Sequence, residues 1–368
     1  MNRFISQKFR FYSFVCIALL LFVHGYNLKV TYLEPFSLVN EHLTFTTFFE
    51  YFMANGILRF RLPMLFAISG YIFAMQDYKP FGERINRRFK TLLVPYLIWS
   101  AFGLLITYLW QQFPVTAKAV YDSQLDQLGD NRLYTEIGWS GIISRWLLRP
   151  VSFQLWFIRS LFIYNLIYPV FRWGITTYPK LWFILMFLLW IFMFRILFFE
   201  GQGMLFFSLG IWLYKFNYPI DKKPLWYSRY LSWLCFIGLN VIKTFMAFEF
   251  DEYSTLTIAV FVILHVSAVV SGVIAIWYSA DHIVKWCMHQ KWFVWATSFS
   301  FIIYGLHIPL LAYTMRLAQM YFSYLPNYRL IAYIIVPLLV LMFCIVVGAL
   351  FRRIWPWGYK LSTGGRGF

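Results

Sequence analysis

Ionisable side chains that stand out inside strongly apolar stretches of this 368-residue chain are His24, Arg59, Arg61, Arg159, Arg195, Lys243, His265 and His307. A charge in hydrocarbon costs at least ~2.5–3.5 kcal/mol by insertion scales, so ionisable groups kept there are candidates for function. Imidazole suits proton transfer because its ordinary pKa lies near neutrality. A guanidinium suits an oxyanion or a phosphate, because its donors form a rigid planar fork. His24 closes the run FYSFVCIALLLFVH, about 20 Å along its helix, and His307 in SFSFIIYGLHIPLL reaches a similar depth. Arg59 and Arg61 open the run ILRFRLPMLFAISGY from its other end, above Pro63, which frees a carbonyl and is expected to kink or open that helix. Four groups from three helices therefore meet at one depth, as a buried polar site requires.

Each residue also has a plainer reading. A lone histidine in a bundle is commonly a hydrogen-bonder, and Arg59 and Arg61 can snorkel to the outer headgroups. Ser69 can be a small residue that lets helices approach, and His265, without polar company in the sequence, reads as structural. The basic run DYKPFGERINRRFKTLLVPYLIWS spaces Arg84, Arg87, Arg88 and Lys90 so that one helix face gathers them. That face suits the phosphates of a cytoplasmic anion, although topology alone explains such a cluster too. The spacing around Cys287 and His289 matches no zinc site, so no metal is expected.

The elements that must position these groups are transmembrane helices. Hydrophobic residues make up 61% of the chain and charged ones 13%, about half the share usual in soluble domains. Mean hydropathy is +0.63. Apolar runs of about twenty residues recur, the length that crosses ~30 Å of hydrocarbon. The expected fold is an all-α polytopic membrane protein, a single domain over residues 1–368. Helices are expected at 11–30, 56–77, 91–112, 154–173, 180–199, 202–218, 227–249, 254–279, 292–318 and 328–351. The first is expected to be retained rather than cleaved.

The net charge of +17 does not point to nucleic acid, because its basic residues sit in short connections between apolar runs. With ten spans, these connections share a side with both ends of the chain, while Asp122, Asp126, Asp130, Glu136, Glu249, Asp251 and Glu252 take the other. The positive-inside rule then places both termini in the cytoplasm, along with the basic loop 78–90. Outer connections 31–55 and 113–153 are long enough to have work of their own, and segment 41–55 is expected to lie in the interface or cap the bundle.

The order of motifs resembles the acyltransferase 3 family of integral membrane O-acyltransferases. The likeness rests on FVH ending the first helix, RLPMLFAISGY, ERINRRFKTLLVPYLIWS and SFSFIIYGLHIPLL, with LWFIRSLFIYNLIYP and FFSLGIWLY as weaker matches. Ser13 stands where the family usually has a basic residue before the first-helix histidine, and Arg10 returns to nearly the same face. The resemblance implies acyl-CoA, acetyl-CoA by expectation, as donor substrate, with no permanently bound cofactor. Arg10, Arg84, Arg87, Arg88 and Lys90 would bind it on the cytoplasmic side. His24 would be the general base on an acceptor hydroxyl, Arg61 would face the oxyanion, and His307 would assist. Arg59, Ser69, Trp156, Arg159, Ser300 and Tyr304 would support them. A cell-surface glycan or lipid-linked sugar would be the acceptor, and a bacterial inner membrane the location. The competing reading, from another class, is a carrier or flippase for a glycan precursor or small solute.

Overall fold

A computed structural model describes residues 2–30, 32–125, 132–196, 198–250 and 252–367. Asp126, Asp130 and Asp251, three of the acidic residues read as outer, lie outside the described residues. Among the described residues the fold is all-α apart from a two-stranded hairpin, Arg195–Ile196 against Phe199–Glu200. Among the described residues, seven helices are long and apolar enough to cross a membrane: Arg3–His24, Phe45–Ala74, Phe81–Gln111, Arg229–Glu249, Thr255–Ser279, Ser300–Phe322 and Tyr328–Ile354. Pro179–Ile191 is a shorter apolar helix.

Several boundaries differ from the sequence reading for physical reasons. The first helix begins at Arg3, is interrupted at Leu19 and ends at His24. Segment 41–55 is not a separate cap. From Thr44, whose hydroxyl caps Phe45–Tyr51, the backbone winds through a π-helical stretch and a 3₁₀ turn into Arg61–Ala74. Pro63 sits in the first turn of that last helix, where its missing N–H costs nothing, so the irregularity precedes it. The fifth expected helix stops at Ile191, and Arg195 stands in the exposed hairpin, paired with Glu34 at 3.2 Å.

The chain divides into two compact units: residues 1–23, 28–86 and 163–294, and residues 24–27, 87–162 and 295–368. In the first, Arg61–Ala74 packs on Gly201–Lys215 through small residues. A Cβ on Gly70 would stand 2.1 Å from the Phe207 carbonyl oxygen, and one on Gly210 would stand 2.0 Å from that of Ala67. These two glycines let the backbones approach without a hydrophobic driving force between helices. Arg229–Glu249 and Thr255–Ser279 form a second tight pair in that unit.

In the second unit Ser300–Phe322 packs against Tyr328–Ile354 and against Pro114–Ser123, a helix inside the long connection 113–153. Helix Pro356–Thr363 folds back onto Val94–Gln111, where the Trp99 indole N–H donates to the Ser362 carbonyl at 2.9 Å. Residues 24–27 belong to this unit although the helix leading to them belongs to the other.

Candidate active site

His24 and His307 meet in the second unit. Their ring centroids are 5.8 Å apart and their planes 20° from parallel, so the imidazoles stack. The edge of Phe153 closes on His24 at 4.8 Å, nearly perpendicular to it. His307 is completely buried, whereas His24 is only partly covered. The Nδ1 of His307 lies 2.9 Å from the Ile303 carbonyl oxygen and 3.0 Å from that of Tyr304. Two acceptors at that nitrogen require it to carry the proton, which leaves Nε2 as the basic nitrogen.

A break in the helix shapes this place. Ser300–Phe322 departs from helical geometry at Ile308 (φ −109°, ψ 133°), immediately before Pro309. Proline supplies no N–H to the carbonyl one turn back, Gly305. Gln154 and Ser152 satisfy the carbonyls freed by the break. The Gln154 amide donates to Tyr304 at 3.2 Å and lies 3.4 Å from the Gly305 and Ile308 oxygens, and the Ser152 hydroxyl donates to Ile308 at 2.9 Å. The Tyr304 hydroxyl returns a hydrogen bond to the Gln154 carbonyl at 2.5 Å. The 3₁₀ turn Phe153–Leu155 is thus locked onto the broken helix by exchange in both directions.

The supporting residues named from the sequence divide clearly. Tyr304 joins this network, and Phe157, next to Trp156, packs against it at 6.3 Å. Ser300 spends its hydroxyl on the Thr297 carbonyl at 2.6 Å, at the end of the preceding helix Lys291–Thr297. Arg159 donates to the Leu148 carbonyl. Ser69 lies in the first unit, beside the close-packed Gly70.

Arg59 and Arg61 also belong to the first unit. Arg59 donates to the Leu33 carbonyl. Arg61 is buried, with Nε donating to Leu58 at 2.6 Å and Nη1 3.4 Å from the Cys16 carbonyl, so it ties the first helix to the second. Arg59 is half-buried, and snorkelling does not describe the buried Arg61. His265, read as structural, faces the Nζ of the buried Lys243 at 3.3 Å.

The basic run does not present one uniform face. Arg84 is buried and ion-paired with Asp77 at 2.5 Å, whereas Arg87 and Lys90 are exposed and Arg88 is half-buried. Asp77 also receives the Tyr168 hydroxyl at 2.8 Å and the Lys215 ammonium, so Arg84 is held in a hub of the first unit. Burial alone would raise the Asp77 carboxyl, but Lys215, Tyr168 and Arg84 outweigh it and hold the group below its ordinary value. Arg10 is exposed and donates to the Val294 carbonyl at 2.8 Å.

Three contributors were missed by the sequence reading. Gln154 and Ser152 had no motif to mark them. Arg316, in the last third of Ser300–Phe322, donates to Asn27 at 3.2 Å and to Gln319 at 3.0 Å, and so holds the stretch that carries His24. An arginine inside an apolar run was the available signal for it.

A model of the acyltransferase domain matches residues 14–353. The succinoglycan biosynthesis protein ExoH of Rhizobium meliloti (strain 1021) is 23% identical over 182 residues, 49% of this chain and 46% of that protein. The chain thus spans about half the length of this curated relative. No solved structure matches.

Proposed function

This chain belongs to the acyltransferase 3 family, and on that premise we propose that it is a membrane O-acyltransferase that moves an acyl group, acetyl by expectation, from acyl-CoA to a hydroxyl of a glycan. The observation that carries this reading is the stacked pair of His24 and His307, of which only His24 is partly uncovered. His24 is the general base. As it removes the acceptor proton, the hydroxyl oxygen attacks the thioester carbonyl carbon. The C–S bond then breaks, the CoA thiolate takes up a proton, and an ester and free CoA result. His307, with its proton fixed on Nδ1, orients and supports the first imidazole.

Arg87, Arg88 and Lys90 are the proposed contacts for the donor phosphates, while Arg84 holds the helix that carries Arg87 and Arg88. The similarity to a protein named for succinoglycan biosynthesis supports a polysaccharide or its lipid-linked precursor as acceptor. We further propose ten crossings, both ends in the cytoplasm, and a bacterial inner membrane as location, supported by the sorting of basic residues.

The test is label transfer in proteoliposomes given radiolabelled acetyl-CoA and a polysaccharide acceptor. The wild type should acylate the acceptor, and His24→Ala should lower kcat by about 10²–10⁴-fold while still inserting and folding. A folded His24→Ala protein of normal activity removes the base assignment. Translocation of the acceptor without acyl transfer replaces the enzyme by a carrier.

A further inference from the structure

The segment that follows the last long helix folds back and brings a guanidinium to the basic helix. Arg366 donates through Nη1 to the Thr91 carbonyl at 2.7 Å and to the Thr363 carbonyl at 3.1 Å. Its guanidinium lies over the Phe301 ring, 4.7 Å from the centroid. The seat is built for this backbone. Gly367 has φ +86°, and a Cβ there would stand 2.1 Å from the Ser298 carbonyl oxygen; the Gly367 carbonyl in turn accepts from Arg352 at 2.8 Å.

The charge at this seat is unbalanced. Among the described residues, no carboxylate pairs with Arg366, Arg352 or Arg87, all in the second unit. Arg366 makes no hydrogen bond through Nε or Nη2 to any described residue. Burial, and then the positive charge of Arg87, lower its pKa to about 10, so it remains a cation at neutral pH. Tyr304, which is locked to Gln154 beside His307, also acts on it electrostatically. Two guanidinium groups that repel each other, one of them half-buried and held in a fixed place, form a site with no carboxylate partner among the described residues.

We propose that Arg366, together with Arg87, binds a phosphate group of the acyl-CoA donor, so that the segment after the last long helix forms part of the donor site. This rests on acyl-CoA being the donor. A planar guanidinium fixed by two carbonyls keeps its other edge for bidentate contact with phosphate. A lipid headgroup phosphate offers the same chemistry, and the experiment separates the two sources.

The purified full chain is placed in nanodiscs of phosphatidylcholine alone or with phosphatidylglycerol, and CoA binding is measured by calorimetry. Arg366→Ala should weaken CoA binding about ten- to a hundredfold and leave the use of acetyl-pantetheine, which has no phosphate, unchanged. Arg366→Lys should recover part of the loss. A second measurement needs no variant: CoA should protect Arg366 of the wild type from phenylglyoxal, read by mass spectrometry in phosphatidylcholine discs. Unaltered CoA affinity in a folded Arg366→Ala protein, or no protection by saturating CoA, overturns the assignment and leaves the donor reading standing. Protection complete with phosphatidylglycerol and unchanged by CoA assigns the seat to lipid and also overturns it. A wild type that binds no CoA overturns both the assignment and the donor reading.

Discussion

The two stacked imidazoles are unequally placed. His307 is enclosed and its Nδ1 is committed to the Ile303 and Tyr304 carbonyls, whereas His24 is partly uncovered. At the same scale, Asp77 shows how a cluster of cations acts on one carboxylate. Its pKa is lower in the folded protein than its ordinary 3.8, so the stabilisation is fully present above about 3.8 and lost as pH falls through the folded value. Melting temperatures followed from pH 6 to pH 3 should therefore fall steeply at the acid end for the wild type. Asp77→Asn should melt lower at pH 7, since Lys215 and Arg84 lose their counter-charge, and should show a shallower acid slope. An identical acid slope in both proteins would show that Asp77 does not carry the effect. The helical spacing of Arg84, Arg87 and Arg88 was legible in the sequence. The capture of Arg84 by Asp77 was not, because Lys215 and Tyr168, which complete the hub, are remote in the chain.

At the scale of elements, two devices position the rest. One is the break at Ile308, which turns helix carbonyls toward Gln154 and Ser152. Pro309 announced that break in the sequence, yet the residues that satisfy it come from a short 3₁₀ turn that carries no periodic signal. The other is the contact of Arg61–Ala74 with Gly201–Lys215. A Cβ at Gly210 would meet Ala67 oxygen at 2.0 Å and Tyr71 nitrogen at 2.7 Å, both backbone atoms that cannot step aside. Gly210→Ala should thus destabilise the protein by about 1–3 kcal/mol or more through forced separation of the helices, read as a lower melting temperature in detergent. Gly238→Ala, in a position where a Cβ meets nothing within 4 Å, serves as the control and should melt as the wild type. Equal melting of the two variants would refute the close-packing account. The family-like Ser-Gly and Leu-Gly stretches thus have at least a packing role, whatever Ser69 adds.

For the whole molecule, the basic connections are joined by specific pairs within the first unit. Asp77 links the connection after the second long helix to Lys215, and Lys8 pairs with Asp281 at 2.7 Å. Each pair joins connections that the sorting of charges placed on a common side. With both ends proposed as cytoplasmic, single cysteines at Lys79 and Lys222 should react with a membrane-impermeant thiol reagent only after the cells are opened. Cysteines at Thr116 and Glu252 should react in intact cells. The reverse pattern would invert the proposed direction of acyl transfer. What the sequence determined by itself was the membrane class, the family and the common depth of His24 and His307. These depend on local quantities: apolar run length, motif order and a rise of 1.5 Å per residue along a helix. Tertiary structure alone decided which faces meet. It stacked the two imidazoles, removed Arg84 into an ion pair, recruited Gln154 and Arg316, and returned Arg366 to the basic helix. Depth follows from counting residues along one helix. Contact depends also on how each helix is rotated and on which distant chain segments pack beside it, and no local pattern encodes that.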